Sequence, residues 1–178
     1  MEKNDIKHVY ISTDTHFSHK KVIDFCDRPE NYEELIWKGF QEIPDGSVLI
    51  HLGDVCMGDD EEKHQKYIAP LTNIKKILVK GNHDHKSNSW YLRNGWDFVC
   101  RQFKDKYFGK YILFSHMPQK DDGWYDINIH GHFHNTDHRS HEPELVAIKN
   151  DKQYLVAVEY TNYKPVRLET IINNITDA

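Results

Sequence analysis

The chain has 178 residues, 38% hydrophobic and 29% charged, with a formal net charge of -5. That is enough for one domain with a sizeable core and too little for two ordinary ones. The composition argues against three classes: no long basic run advertises duplex nucleic acid, the polar stretch Met1-Glu2-Lys3-Asn4-Asp5 shows no signal-peptide pattern, and no stretch approaches the roughly 20 apolar residues that span a bilayer.

In chain order, the first predicted strand, Val9-Tyr10-Ile11, runs into Asp14-Thr15-His16. A helix is predicted from Ser18, a cap residue, to about Asp27, stopped by Pro29. A second starts at Asn31, with Leu35, Ile36 and Phe40 at helical spacing and Pro44-Asp45-Gly46 as the turn after it. Val48-Leu49-Ile50 leads to Gly53-Asp54, and Asp59 or Asp60 opens a third helix that ends before Pro70. Ile77-Leu78-Val79 leads into Gly81-Asn82-His83-Asp84, and a short fourth helix runs from Ser87 to about Asn94, closed by Gly95. The second half is strand after strand: Trp96 to Val99, Tyr111 to Phe114 ending on His116, and Ile127 to Ile129 ending on His130-Gly131-His132-Phe133-His134. Glu144 to Ile148 and Tyr154 to Val158 follow, with a hairpin turn at Asn150-Asp151, and residues 167 to 175 form a last helix. Strands separated by helices imply a largely parallel sheet covered on both faces. Two packed sheets with helices outside satisfy both halves, as a single domain over residues 1–178. Cys26, Cys56 and Cys100 are odd in number and far apart, which predicts a reduced, cytoplasmic protein and no disulfide framework.

Five apolar segments thus stop on residues that bind metal. Asp, Asn and His are hard-to-borderline ligands suited to Mn²⁺, Fe²⁺ and Zn²⁺. Asp14 and His16 are two apart, as are His132 and His134, so each pair projects to one side of extended backbone. Gly53, Gly81 and Gly131 sit directly before ligands, where a missing side chain lets the backbone turn sharply. The candidates are Asp14, His16, Asp54, Asn82, His116, His132 and His134. These are too many for one tetrahedral ion but suit two ions about 3.5–4 Å apart that share a carboxylate, with Asp54 as the natural bridge. Such a pair would activate a water between the ions and stabilise the charge developed in an in-line displacement. His83, next to Asn82, is placed to give a proton to the departing alkoxide, and Asp84 to orient it. Isolated histidines are ordinarily surface or core residues, and His8, His51, His64 and His85 are read that way. Cys56 is read as a buried thiol, and His138 and His141 as solvent-exposed loop residues.

The ordered set Asp14-x-His16, Gly53-Asp54, Gly81-Asn82-His83-Asp84, His116 and Gly131-His132-x-His134 resembles the calcineurin-like metallophosphoesterase superfamily. Thr15-His16-Phe17-Ser18-His19, Phe25-Cys26-Asp27-Arg28-Pro29 and Asn162-Tyr163-Lys164-Pro165-Val166 are similar to a subgroup of small bacterial and phage phosphoesterases. The resemblance implies an α/β fold, a four-layer α/β/β/α sandwich of two mixed β-sheets flanked by helices. It also implies two divalent metal ions, Mn²⁺ first, with Fe, Zn and Ni as alternatives. One ion would take Asp14, His16, Asp54 and His134, the other Asp54, Asn82, His116 and His132, with His83 as the proton donor.

The sequence departs from the protein Ser/Thr phosphatase branch at Val55-Cys56, where no Asp-Arg pair follows Gly53-Asp54. An arginine clamp on phosphate is missing there, and His19 and Arg28 are the candidate substitutes. The expected activity is that of a phosphodiesterase or phosphatase on a small nucleotide or cyclic nucleotide, with Phe17, Trp90 and Trp124 as stacking surfaces or core. Two alternatives stay open. One is a nuclease on single-stranded nucleic acid using Lys104, Lys106 and Lys110 with Phe103, Tyr107 and Tyr111, a row that suits a lysine-guarded hairpin edge better. The other is a catalytically silent interaction scaffold, although neither a ligand nor the acid is missing.

Overall fold

The computed structural model describes residues 8–136, Glu144 and residues 150–176. Its first half alternates strands and helices: β1 (Val9–Ser12), α1 (Lys21–Phe25), α2 (Tyr32–Gln41), β2 (Val48–His51), α3 (Asp60–Lys63), β3 (Lys75–Val79), α4 (Asn88–Arg93) and β4 (Phe98–Cys100). The helix begun by α3 continues as one π-helical turn over His64–Ile68. Then come β5 (Gln102–Tyr107), β6 (Lys110–Ser115), β7 (Ile127–His130), β8 (Gln153–Leu155), β9 (Val166–Arg167) and α5 (Leu168–Thr176).

Two mixed sheets result, one ordered β4-β3-β2-β1-β9 and the other β5-β6-β7-β8. In the first, β1 to β4 are parallel and β9 closes the edge antiparallel to β1. In the second, β5 and β6 form an antiparallel hairpin while β7 and β8 add on in parallel. The apolar runs of β1 to β3 are continuous because both faces are covered. One face sends Leu49, Leu78 and Val99 against Ile36, Phe40 and Tyr91 of the helices. The other sends Ile11, Ile50 and Val79 against Ile112, Phe114 and Ile129 of the second sheet and Leu168 and Ile171 of α5. The helical layer and both sheets of the expected sandwich are therefore present. The outer face of the second sheet meets the loop after β6. There Asn128 accepts the Gln119 amide at 2.8 Å, and the Tyr125 hydroxyl donates to the Gln119 carbonyl at 2.7 Å.

Several local expectations shift. Ser18 does not cap a helix: its φ is 67° and its hydroxyl bonds to Asp59 at 3.0 Å, so α1 opens only at Lys21. Asn31 precedes α2 without a side-chain cap, whereas Ser87 caps α4 by accepting the Trp90 amide. Trp96 is a buried core residue before β4, not the start of the strand. The last predicted strand begins one residue early and is shorter. Val156, Ala157 and Val158 are buried but irregular. Asn150 does form a turn, with its carbonyl accepting the Gln153 amide at 3.1 Å, but β8 pairs with β7. The predicted strand from Glu144 to Ile148 lies outside the described residues apart from Glu144. The two-residue β9 has no counterpart in the sequence reading. Lys104, Lys106 and Lys110 lie on the hairpin whose β5 forms the edge of the second sheet.

The ends of β2 and β3 touch through glycine. A Cβ on Gly53, whose φ is +100°, would sit 2.3 Å from the Gly81 nitrogen, and one on Gly81 would sit 2.1 Å from Asp54 Oδ1. This contact of backbone on backbone is what sets Asp54 beside Asn82. Gly53→Ala is predicted to lower stability by roughly 2–5 kcal/mol, from left-handed strain plus a clash that cannot relax. Gly46→Ala, also at positive φ but with open space around it, carries the strain alone and should cost about 1–2 kcal/mol. Denaturant unfolding of the two variants separates the terms.

Candidate metal centre

The strands β1, β2 and β7 end in a sharp departure from extended backbone. Asp14, His16, Asp54, His132 and His134 all have φ between 48° and 74°, a region that non-glycine residues seldom occupy and that is retained where surrounding structure enforces it. Backbone bonds between strand ends do the enforcing: Asp14 N–H to the Gly53 carbonyl at 2.9 Å, His16 N–H to Asp54 at 3.0 Å, and Gly131 N–H to His116 at 2.9 Å.

The structure brings all seven candidate ligands together. Asp54 Oδ2 lies 3.6 Å from His16 Nε2, 3.4 Å from His116 Nε2 and 4.0 Å from His83 Nε2. Asp14 Oδ1 lies 3.7 Å from His16 Nε2 and 3.6 Å from His134 Nε2. On the far side of Asp54, His116 Nε2 is 3.0 Å from Asn82 Oδ1 and 3.2 Å from His132 Nδ1. Asp14 Oδ1, Asp54 Oδ2 and both His16 nitrogens are buried with no hydrogen-bond partner. Buried carboxylate oxygens left bare are costly, so this lining fits a cation. The remaining oxygens are satisfied: Asp14 Oδ2 takes the His132 amide and the Thr13 hydroxyl, and Asp54 Oδ1 takes the His83 amide. His116 Nδ1 donates to the Leu52 carbonyl at 2.8 Å, which leaves Nε2 as the ligand-competent nitrogen.

The charges respond to this crowding. Burial alone would lower His116 and His134, but the Asp54 and Asp14 carboxylates beside His116 hold it up at about 9. Asp14, with Cys26 and Glu159, holds His134 at about 10. Burial likewise opposes ionisation of Asp54, yet the His116 imidazolium brings it down to about 2. Without metal, two imidazolium protons therefore stand in for the missing positive charge.

Around this cluster sits a support that sequence reading largely missed. Asp84 accepts the amides of Asp54 at 2.7 Å, Gly81 at 2.8 Å and Val55 at 3.1 Å. Its carboxylate thus fastens the second motif to the third and does not bond to the His83 ring it was expected to orient; burial followed by the nearby Asp54 pushes it up to about 6. Arg28, expected at the phosphate, is instead buried. It donates to the Asp14 and Thr15 carbonyls at 2.7 and 2.9 Å and pairs with Glu159 at 2.6 Å. With its donors spent on the Asp14 loop and on Glu159, it holds that loop in place. Glu159 also accepts from His134 Nδ1 at 3.1 Å. Its position directly after the apolar run Val156-Ala157-Val158 repeats the strand-then-polar pattern of the other site residues, and was a usable signal. His51 follows the same pattern. Its Nδ1 accepts the Gly53 amide, so Nε2–H faces Thr15 Oγ1 at 3.2 Å, and burial keeps the ring neutral, down to about 3. His19 stands next to the cluster, its ring 5.3 Å from that of His16. Burial and the neighbouring His16 and His83 lower it to about 4.

Residues 7–165 match the calcineurin-like phosphoesterase family. The chain belongs to that family. Calcineurin-like phosphoesterases are hydrolases that bind divalent metals, and in this one Asp14, His16 and His134, and Asp14, Asp54 and His116, each bring ligand atoms close enough to hold an ion. Protein MJ1445 of Methanocaldococcus jannaschii is 30% identical over 177 residues, covering 96% of this chain and 92% of its own. The crystal structure of AQ665 from Aquifex aeolicus superposes with a TM-score of 0.69 at 24% identity, covering 93% of this phosphoesterase and 98% of AQ665. That likeness shows the fold. The nuclease MPE of Pseudomonas putida is more distant, with a TM-score of 0.48 and 17% identity over 71% of this chain and 61% of its own. Among the described residues no helix is long and apolar enough to cross a membrane.

The raised histidines give a pH dependence with a definite sign. Folded-state values of about 9 for His116 and about 10 for His134 lie above the ordinary 6.5. Each therefore adds stability to the metal-free protein that is complete below pH 6.5 and is lost as pH rises through 9 and 10. Thermal unfolding of chelator-treated protein should show Tm falling across that window, while the affinity for Mn²⁺, which needs neutral imidazole, tightens.

Proposed function

We propose that this phosphoesterase works with two divalent ions, hydrolysing esters of small nucleotides or cyclic nucleotides. One observation carries the reading: Asp54 Oδ2 is bare, buried and within 4.0 Å of His16, His116 and His83. An oxygen placed between two sets of acceptors suits a carboxylate shared by two ions. Asp14, His16, Asp54 and His134 would hold one, and Asp54, Asn82, His116 and His132 the other. Bound there, divalent ions supply Lewis acidity to a phosphoryl oxygen and lower the pKa of water.

The chain's own groups do the rest. Asp84, Arg28 and His51 fix the loops that carry the ligands, so the site needs little rearrangement when substrate arrives. His83 is anchored through its amide to Asp54 Oδ1, while its ring remains a quarter exposed at the mouth. A ring held there reaches the leaving oxygen and delivers a proton to it. Protonation matters most for basic leaving groups, which favours diesters. Manganese, and the cytoplasm as the place of action, stay part of the same proposal.

His83→Ala should cost about 10²–10⁴ in kcat on diesters with alkoxide leaving groups. The loss on p-nitrophenyl phosphate should be far smaller, and bound metal nearly unchanged. Equal losses on both substrates would remove His83 from that role. Asp54→Asn should release metal and abolish turnover, read by elemental analysis beside the activity assay. Full turnover in that variant would rule out the shared carboxylate.

A further inference from the structure

On one side the site opens into a cleft of about 500 Å³, walled by Lys80 and Asn82 from the first sheet and by Arg101, Gln102, His116 and Gln119 from the second. The topology explains the gathering. Val79 and Cys100 are paired in parallel register and the Lys80 amide donates to the Cys100 carbonyl at 2.8 Å. Lys80 and Arg101 are thus the next residues off the carboxyl ends of neighbouring strands, where open α/β sheets bind ligands. The chain crosses between the sheets at Arg101, and Gln102 pairs with Ser115, the residue before His116.

The cleft is cationic in an otherwise acidic chain. Its lining includes Lys80 and Arg101, against a single carboxylate, Asp84, which is buried and engaged by three backbone amides. Lys80 Nζ is tethered to the Lys86 carbonyl at 2.6 Å, and Gln119 Nε2 to the Met117 carbonyl at 3.0 Å. Arg101 is exposed, and among the described residues it has neither a carboxylate nor a hydrogen-bond partner. A guanidinium presents a planar fork matched to phosphate oxygens, and this one stands in the same cleft as two proposed ligands, Asn82 and His116.

We propose that Arg101, flanked by Lys80 and Gln102, seats a second phosphate of the substrate, so that the cleaved phosphate ester or anhydride belongs to a molecule with two neighbouring phosphates. The proposal rests on the phosphoesterase reading above and narrows its substrate class. A pyrophosphate bridge between nucleosides and the adjoining phosphate of a short oligonucleotide offer the same chemistry to Arg101.

The test compares the dinucleotide TpT, with one phosphate, against its 5′- and 3′-phosphorylated forms and against a dinucleoside diphosphate, using manganese-loaded protein. At least one two-phosphate compound should exceed TpT in kcat/KM by about tenfold, and Arg101→Ala should cut that advantage to about twofold. Arg101→Lys should recover part of it. A preference for a phosphorylated dinucleotide assigns the oligonucleotide source, and one for the dinucleoside diphosphate assigns the anhydride. No preference in the unaltered protein, or a preference that survives Arg101→Ala, overturns the proposal. Calorimetric titration of the same compounds keeps the two readings apart. If no ester is cleaved, the catalytic reading fails, yet two-phosphate compounds should still bind about tenfold more weakly to Arg101→Ala. Equal binding to both proteins would sink the Arg101 assignment on its own.

Discussion

Two carboxylates buried at strand ends, each with one oxygen satisfied and one bare, are the constraint on which the site depends. Asp14 gives Oδ2 to the His132 amide and Asp54 gives Oδ1 to the His83 amide, while Asp14 Oδ1 and Asp54 Oδ2 have no partner. An ionised carboxylate in such surroundings costs several kcal/mol unless it is compensated. Hydrogen bonds made by half of each group fix its orientation. They aim the uncompensated half at the place where positive charge is required.

The same bonds join distant parts of the chain. Asp14 reaches the loop after β7, Asp54 the loop after β3, and Asp84 the loop after β2. Each motif's acid accepts amides from another motif's backbone, so no loop can move without disturbing a second. Together with the backbone bonds from Asp14 and His16 to the loop after β2, this reciprocity holds Asp14, His16, Asp54 and His132 at positive φ. Left-handed backbone at a non-glycine residue costs on the order of 1–3 kcal/mol, and it persists because several long-range bonds specify it together. Strain and preorganisation are here two descriptions of one network.

That network divides what could be read in the sequence from what could not. An apolar run followed by Asp, Asn or His is a local pattern, and it located β1, β2, β3, β6, β7 and the seven residues gathered at their ends. Ser87 capped its helix as expected because capping is settled within three residues. Asn31 fails to cap although its signal is equally local, but three other departures depend on partners far along the chain. Ser18 is drawn away from capping by Asp59, and β9 exists only because β1 offers it an edge. Arg28 looked like a phosphate contact because an arginine near a predicted site has no local mark of burial. Its partner Glu159 lies 131 positions away.

Counting charge over this network shows why metal and phosphate belong to the same site. The side chains of Asp14, Asp54, Asp84 and Glu159 are four buried carboxylates, and Arg28, paired with Glu159, is a buried guanidinium beside the cluster. At neutral pH these groups leave three negative charges. Protons on His116 and His134 reduce that to one, a site that still repels a phosphate ester. Two divalent ions in place of those protons would reverse the sign to one positive charge, because a bound cation becomes the largest local charge. The clefted side then continues the positive field through Lys80 and Arg101. The proposed ions would extend the positive field of that cleft onto the ligand cluster itself, so loading them and recognising an anionic ester would be linked electrostatically.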